Sequence, residues 1–472
     1  MVAIADSQYP HKSYKSYRQR WFVLLTVCLL SLSNATIWIS YSPISANIET
    51  FYCQKNASAS GAGKLKQCDV SYWTTQIFQI GATVTGILGM YATDKYGIKI
   101  SCLFGTILNF SGATIRLFSS APFVPFDYRL PILYIGQSIA ALSQSFFLVL
   151  PPKVAEFWFS ESQRTIANAL AFIANPIGVV IGSLTSASVF TSQRGEDSSL
   201  LLIMNGVLTG IAAVVFLLSL LIRSARPPTP PSASMENHSS PPFFEGLVML
   251  FKNKEFYVQM ITCNFGFAIL YSLFFAGEQM FQDLGYSAIN GYGLALASVV
   301  GCGSAILAGF VADRTKKFNE IVKFCYVGAA ISALGLNMFL RFQSHSKLNL
   351  VILYVLLAIL SFFSTPTWPV GLELGVEATY PVAEATSSGV LITCGMLGLF
   401  VMGYAMKGIS DLEIETSALN RFQLALDFWC LIAILVAIFA VVFLNPRHKR
   451  LEYEEKTEAL DKDTGGDFVS RY

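Results

Sequence analysis

The amino-acid sequence predicts an all-α membrane protein of twelve transmembrane helices in two six-helix bundles. Three observations carry that prediction. Apolar residues make up 53% of the 472-residue chain and charged residues only 13%, against about 25% charged in soluble domains. The apolar residues gather in twelve runs of about 20, each long enough to cross a bilayer core as a helix. Six runs precede a polar, proline-rich gap and six follow it. The same numbers exclude a disordered chain and a small disulfide scaffold. A formal charge of +2 gives a nucleic-acid partner no electrostatic support.

After a segment 1–20, the first bundle (21–222) holds runs near 21–44, 71–93, 98–118, 131–150, 165–190 and 200–222. The second (257–444) holds runs near 257–282, 287–312, 319–341, 349–369, 383–406 and 424–444, followed by a tail, 445–472. The runs are continuous rather than alternating, which excludes a β-barrel. The gap, 223–256, contains Arg226-Pro-Pro-Thr-Pro-Pro-Ser232 and Pro241-Pro242. That composition reads as a solvated linker or a short amphipathic segment.

Lys and Arg set the orientation. They concentrate before the first run, after the second, fourth and eighth, in the gap and in the tail. Both termini are therefore expected in the cytosol, with no basic residue at mid-membrane. Asn56-Ala-Ser58 is a glycosylation sequon in the first outer loop, and Asn56 is the candidate acceptor. Cys53 and Cys68 flank it, while the other seven cysteines fall in the runs. A disulfide between these two is a candidate, with two free thiols as the alternative.

An internal repeat carries chemistry. The second run ends in Asp94-Lys-Tyr-Gly-Ile-Lys99 and the eighth in Gly309-Phe-Val-Ala-Asp313-Arg-Thr-Lys-Lys317, about half a chain apart. Gly89 or Gly309 would allow close helix packing. Asp94 and Asp313 can pair with Lys95 or Arg314, or with the opposite half. Glu373 and Glu377 stand four apart in a loop without Lys or Arg. They are expected to form a gate with Arg164 or with the turn Arg314–Lys317, with a solvated helix end as the equal alternative.

Other residues suit a binding cavity. Asn34, Trp38 and Tyr41 share one face of the first helix. Gln137 and Gln144 lie seven apart on the fourth, and Tyr271 near the middle of the seventh. Amides in lipid are costly, so they face a partner helix or water. Trp, Tyr and neutral amides suit an organic cation, each ring face attracting an ammonium by about 0.5–2 kcal/mol. No carboxylate or histidine stands plainly at mid-depth, so facilitated, potential-sensitive movement is expected rather than proton symport. No histidine lies in a run, which disfavours a His-ligated haem in the pore. There is no phosphate-binding loop and no nucleophile or metal spacing, so neither an ATP-driven pump nor an enzyme is expected.

The paired turns resemble the cytosolic-loop signature of the major facilitator superfamily. That resemblance implies two bundles rocking about a central site, with Asp94, Lys95, Gly97, Asp313 and Arg314 in the moving turns. Longer stretches carry a closer likeness. They are Ser33-Asn-Ala-Thr-Ile-Trp-Ile-Ser-Tyr41, Gly136-Gln137, Ser143-Gln144, Pro151-Pro-Lys-Val-Ala-Glu-Phe-Trp-Phe159, Asn175-Pro-Ile-Gly178, Gly371-Leu-Glu-Leu-Gly-Val-Glu-Ala-Thr-Tyr-Pro381 and Glu384-Ala-Thr-Ser-Ser-Gly389. Together they resemble the feline leukaemia virus subgroup C receptor family, solute carrier family 49, and within it the branch of its third member.

That resemblance implies transport of choline or ethanolamine, with an older attribution of haem export. It implies an aromatic cage and glutamines, which fall on Trp38, Gln144 and Tyr271. The family's helix-11 glutamine falls near Met396, a departure from the pattern. Gln279, at the end of the seventh run, is a further candidate. The expected function is a transporter of a choline- or ethanolamine-like cation by alternating access without ATP. The alternatives are a haem or porphyrin exporter, or a receptor or scaffold that keeps the fold. No cofactor or metal is expected. The expected partners are a small-molecule substrate and the lipid bilayer, the expected state a monomer. The expected location is the plasma membrane, with an internal membrane as the alternative.

Overall fold

A computed structural model describes residues 17–53, 68–190, 198–229, 241–276, 280–281, 286, 289–342, 346–412 and 422–453. Asn56 and Gln279 lie outside these residues, as does the side chain of Asp313. The described residues form helices and turns. The first half contains α1 (Gln19–Ile39), α2 (Ser45–Cys53), α3 (Val70–Ser119), α4 (Phe126–Phe147), α5 (Leu150–Trp158), α6 (Glu161–Phe190) and α7 (Ser198–Leu220). A short helix, α8 (Phe243–Lys252), lies in the gap. The second half contains α9 (Lys254–Ala276), α10 (Leu294–Thr315), α11 (Phe318–Phe342), α12 (Lys347–Ser364), α13 (Thr367–Thr379), α14 (Glu384–Ser410) and α15 (Gln423–Phe443).

Among the described residues, eleven helical segments are long and apolar enough to cross a membrane. One of them is α3, with 50 residues. A straight helix of that length would run about 75 Å, more than twice a bilayer core. Gly97 breaks it, with φ 78°. Only glycine takes that region without strain, so the chain doubles back and α3 supplies two crossings, making twelve. Arg20, near the start of α1, and Lys95, beside Gly97, lie at the same face as the turns after α4 and α10. We call this the termini face.

Three spans are interrupted near proline. α1 gives way to a 3₁₀ turn at Ser42–Ile44 containing Pro43. α4 ends at Phe147 before Pro151 and Pro152, and α12 ends at Ser364 before Pro366. Proline lacks the N–H that would continue the ladder. Such breaks survive at membrane depth only where other groups take the freed carbonyls.

Helix packing follows small residues. A Cβ at Gly89 would overlap the Ser145 backbone, so α3 and α4 touch main chain to main chain. Gly178 and Gly182 make the same seam between α6 and α1, against Leu32 and Thr36. Gly309 has nothing within reach of a Cβ among the described residues, so the packing role expected there belongs to Gly89 alone. The halves meet where α3 lies along α14 and α6 along α10.

One basic residue of the first half, Arg116, is folded into the helix bundle. It sits in α3, three residues from the helix end, and is 1% exposed. Its guanidinium donates to Ile37 O (2.6 Å), Ser40 Oγ (2.6 Å), Gln137 Oε1 (3.3 Å) and Asn205 Oδ1 (3.1 Å). Ile37 and Ser40 close the C-terminal end of α1, where carbonyls lack helical donors and a cation is favoured. Arg116 thus seals one of the interrupted spans.

Candidate functional site

The contact that draws the two halves together at the predicted site is aromatic. The ring of Trp38, on α1, lies 5.9 Å from that of Tyr271, on α9. Phe267 stacks 4.7 Å below Tyr271, and Trp368, on α13, lies 4.6 Å from Phe267. Trp38 and Tyr271 share an apolar cluster with Phe78, Leu399 and Met402. The i, i+4 spacing of Phe267 and Tyr271 puts both rings on one face of α9, and Trp368 follows the Pro366 break. A ladder of four rings therefore crosses from the first half deep into the second.

Tyr41 and Asn34 do not join this wall. Tyr41 lies beyond the end of α1, with the Arg116 guanidinium 3.7 Å above its ring and its hydroxyl bonded to Asn205 and Tyr52. Asn34 donates to Asn109 Oδ1 and Ala140 O. An i, i+3 or i, i+4 step still rotates a side chain by about 40–60°. On α1 that is enough to send both polar groups inward, to α3, α4 and α7.

Gln144 is buried near the end of α4, and its Oε1 has no hydrogen-bond partner among the described residues. Met396 lines a small cavity with Ala82, Gly86, Ser145, Val149 and Thr393, at the seam of α3, α4 and α14. Sequence reasoning missed Gln79, one turn from Ala82 on α3. It is fully buried, and neither of its amide atoms has a partner among the described residues. The legible signal was the pair Gln76 and Gln79, spaced i, i+3 in an apolar run.

The charged turns pair differently from expectation. Asp94 bonds Lys153 (2.5 Å), on α5 of its own half, while Lys95 donates to the Tyr91 hydroxyl. Lys153 is nearly buried, and the short α5 after the Pro151 break aims it at Asp94. Arg314 lies over the Phe310 ring, 4.2 Å away. Glu377 is met by the tail: Arg450 Nε lies 3.9 Å from it and the Leu451 N–H donates to it. Arg450 also binds Glu384 (2.9 Å), and the side chain of Arg164, one of the expected gate partners, lies outside the described residues. The segment after α15 thus reaches Glu377 and Glu384 of the second half.

At the far face a cation joins the halves. Lys407, on α14, pairs with Asp69 (3.1 Å) at the start of α3 and with Asp411 (3.2 Å). Cys68, beside Asp69, is bonded to Cys53, the candidate pairing. Glu49 accepts from the Cys68 and Val70 N–H groups, which fixes the backbone on either side of Asp69. A half-exposed pair contributes about 1 kcal/mol. Asp69→Asn or Lys407→Gln should therefore favour opening of this face about fivefold. The check is the rate at which a cysteine placed at Phe400 reacts with a membrane-impermeant maleimide, with the swap Asp69→Lys, Lys407→Asp restoring the wild-type rate. Equal rates in all four proteins would exclude the latch.

Twelve crossings, a break at Gly97 and a seam between halves define a two-bundle membrane transporter, and the comparisons agree. Residues 23–403 match the profile of the Major Facilitator Superfamily, and the chain belongs to that superfamily. Within it, the likeness is to solute carrier family 49. Solute carrier family 49 member A3 of Xenopus tropicalis is 29% identical over 466 residues, covering 95% of this chain and 92% of that protein. The choline/ethanolamine transporter FLVCR2 of Homo sapiens is 25% identical over 386 residues, covering 80% and 69%. Among solved structures, the proton:xylose symporter XylE bound to 6-bromo-6-deoxy-D-glucose superposes with a TM-score of 0.69 at 14% identity, covering 92% and 98% of the two chains. That likeness concerns the fold.

Proposed function

We propose that this protein carries a small organic cation of the choline or ethanolamine kind across the membrane by alternating access, without ATP. The observation that carries the reading is the Trp38–Tyr271 pair, one ring from each half, 5.9 Å apart. A cation entering between these faces would gain about 0.5–2 kcal/mol from each. Both rings belong to the seam that must part when the bundles rock, so binding and movement share one place. The relative FLVCR2, by its name, transports choline and ethanolamine, which supports the same substrate class.

In this reading both termini face the cytosol and the chain resides in the plasma membrane. The Asp94–Lys153 and Glu377–Arg450–Glu384 groups brace the cytosolic ends of the two halves, and Lys407–Asp69 latches the outer ends. Carrying one charge along the membrane potential adds about 2.3 kcal/mol per 100 mV, so depolarisation should slow uptake.

The test is uptake of labelled choline and ethanolamine by cells expressing the chain. Saturable uptake is expected, with Trp38→Ala and Tyr271→Ala each lowering it about tenfold at matched surface level. Wild type at background, well expressed, would sink the substrate assignment.

A further inference from the structure

Gln79 has no hydrogen-bond partner for its amide among the described residues. Its side chain is fully buried, and neither amide atom is bonded among the described residues. A buried amide normally finds partners, because leaving it unpaired costs what water would have given it. Two nearby amides of the first half are bonded at least in part, although Gln76 Oε1 is itself unpaired among the described residues. Gln76 bonds the Tyr72 hydroxyl and Phe400 O, and Gln137 bonds Thr74 O and Arg116.

The position of Gln79 is fixed by three contacts along one antiparallel seam. A Cβ at Gly403 would touch Gln76, one at Gly86 would touch Thr393, and one at Gly389 would touch Met90. Helical spacing puts Gln79 on the same stripe of α3 as Gly86 and Met90. It therefore faces α14 between its contacts with Gly403 and Thr393, the stretch that holds Met396 and Phe400. Ala82 and Gly86, one and two turns along the stripe, line the cavity with Met396. Phe78, the preceding residue, packs in the cluster of Trp38 and Tyr271. Across α14 a second amide faces the same stretch. A Cβ at Gly398 would overlap Asn264 Oδ1, an oxygen that is itself unpaired among the described residues.

We propose that Gln79 is a substrate contact that selects for a hydrogen-bonding end. It takes the hydroxyl of the solute whose cationic end lies against Trp38 and Tyr271, and so supplies from α3 the polarity that Met396 does not supply from α14. This rests on the substrate class proposed above. An amide both donates and accepts, which suits a hydroxyl. A site built to bond a hydroxyl rejects the analogue that lacks it, because its own polar group is then left bare.

The experiment uses purified full-length protein and two probes that differ by one hydroxyl, choline and ethyltrimethylammonium. Binding is read by ligand-induced thermal shift, for wild type and Gln79→Leu. Wild type should prefer choline by about tenfold. Gln79→Leu should bind ethyltrimethylammonium as wild type does and lose the preference. The ligand-free variant should also melt higher than wild type, by about 2 °C, since an unpaired buried amide is removed. A residue with a merely structural bond would melt lower. Retained preference in Gln79→Leu, equal weakening for both probes, or a lower melting temperature would overturn the proposal while leaving the substrate class standing. Failure of wild type to bind either probe would overturn the substrate class and this assignment with it.

Discussion

Arg116→Met will leave little folded protein at the cell surface. The substitution removes four buried hydrogen bonds at once, to Ile37 O, Ser40 Oγ, Gln137 Oε1 and Asn205 Oδ1, leaving Ile37 O to Ser40 Oγ and Asn205 Oδ1 to the Tyr41 hydroxyl. It also removes the cation from the Tyr41 ring. Each lost buried bond to the charged group costs about 1 kcal/mol, so the sum is about 3–5 kcal/mol, a large share of what holds a domain together. Arg116→Lys should rescue little. A lysine keeps the charge but lacks the planar fork of five donors that reaches four partners. Melting temperature in detergent, together with the surface fraction in cells, gives the answer. A methionine variant that melts within a degree of wild type would show that the network is dispensable.

Two classes of glycine should behave in opposite ways. Gly112 and Gly136 join α3 to α4 inside the first half: a Cβ at Gly136 would lie 2.6 Å from Arg116 N and 2.8 Å from Gly112 O. Backbone cannot step aside, so Gly112→Leu or Gly136→Leu should cost several kcal/mol and abolish folding, by the overpacking rule at its upper end. Gly86 also lacks room for a Cβ, but its obstacle is Thr393 of the opposite half. A leucine there collides only while the halves touch. Gly86→Leu should therefore fold, melt within about 3 °C of wild type, and rest with the seam parted. Saturable transport should disappear, and a cysteine at Val149, which lies beside Gly389 across the seam, should become reactive from the termini face. If Gly86→Leu unfolds as Gly112→Leu does, the seam is part of the fold and not a moving surface.

The spans were legible because hydropathy is a sum over many residues, so single exceptions do not disturb it. The same averaging hid Arg116. A basic residue near the end of a run is credited to the loop, although here it is folded inward onto the end of α1. The Gly97 turn was visible as a motif, and its positive φ accounts for the glycine. Partner choice was not visible. Asp94 stands next to Lys95 in sequence but binds Lys153, because α5 turns at Pro151 and carries that lysine back. Glu377 pairs with Arg450 because the tail folds under α13, a contact between segments that no local pattern encodes. Trp38 and Tyr271 were readable as aromatics within their runs, and their rings meet across the halves. Gln79 was hinted at only by its spacing from Gln76, since what sets it apart is an amide without a hydrogen-bond partner among the described residues, which no sequence pattern records.

Trp38 has a consequence outside transport. The chain has six tryptophans, and the ring of this one rests on a tyrosine of the opposite half. Indole emission depends on the polarity around the ring, and tyrosine quenches or feeds it at contact distance. A chain that keeps Trp38 as its sole tryptophan would carry a built-in optical gauge of the seam. Its emission would sit to the blue while the halves touch and move to the red as water enters. The protein's working cycle could then be followed in time, without attached dyes and before any cargo is identified.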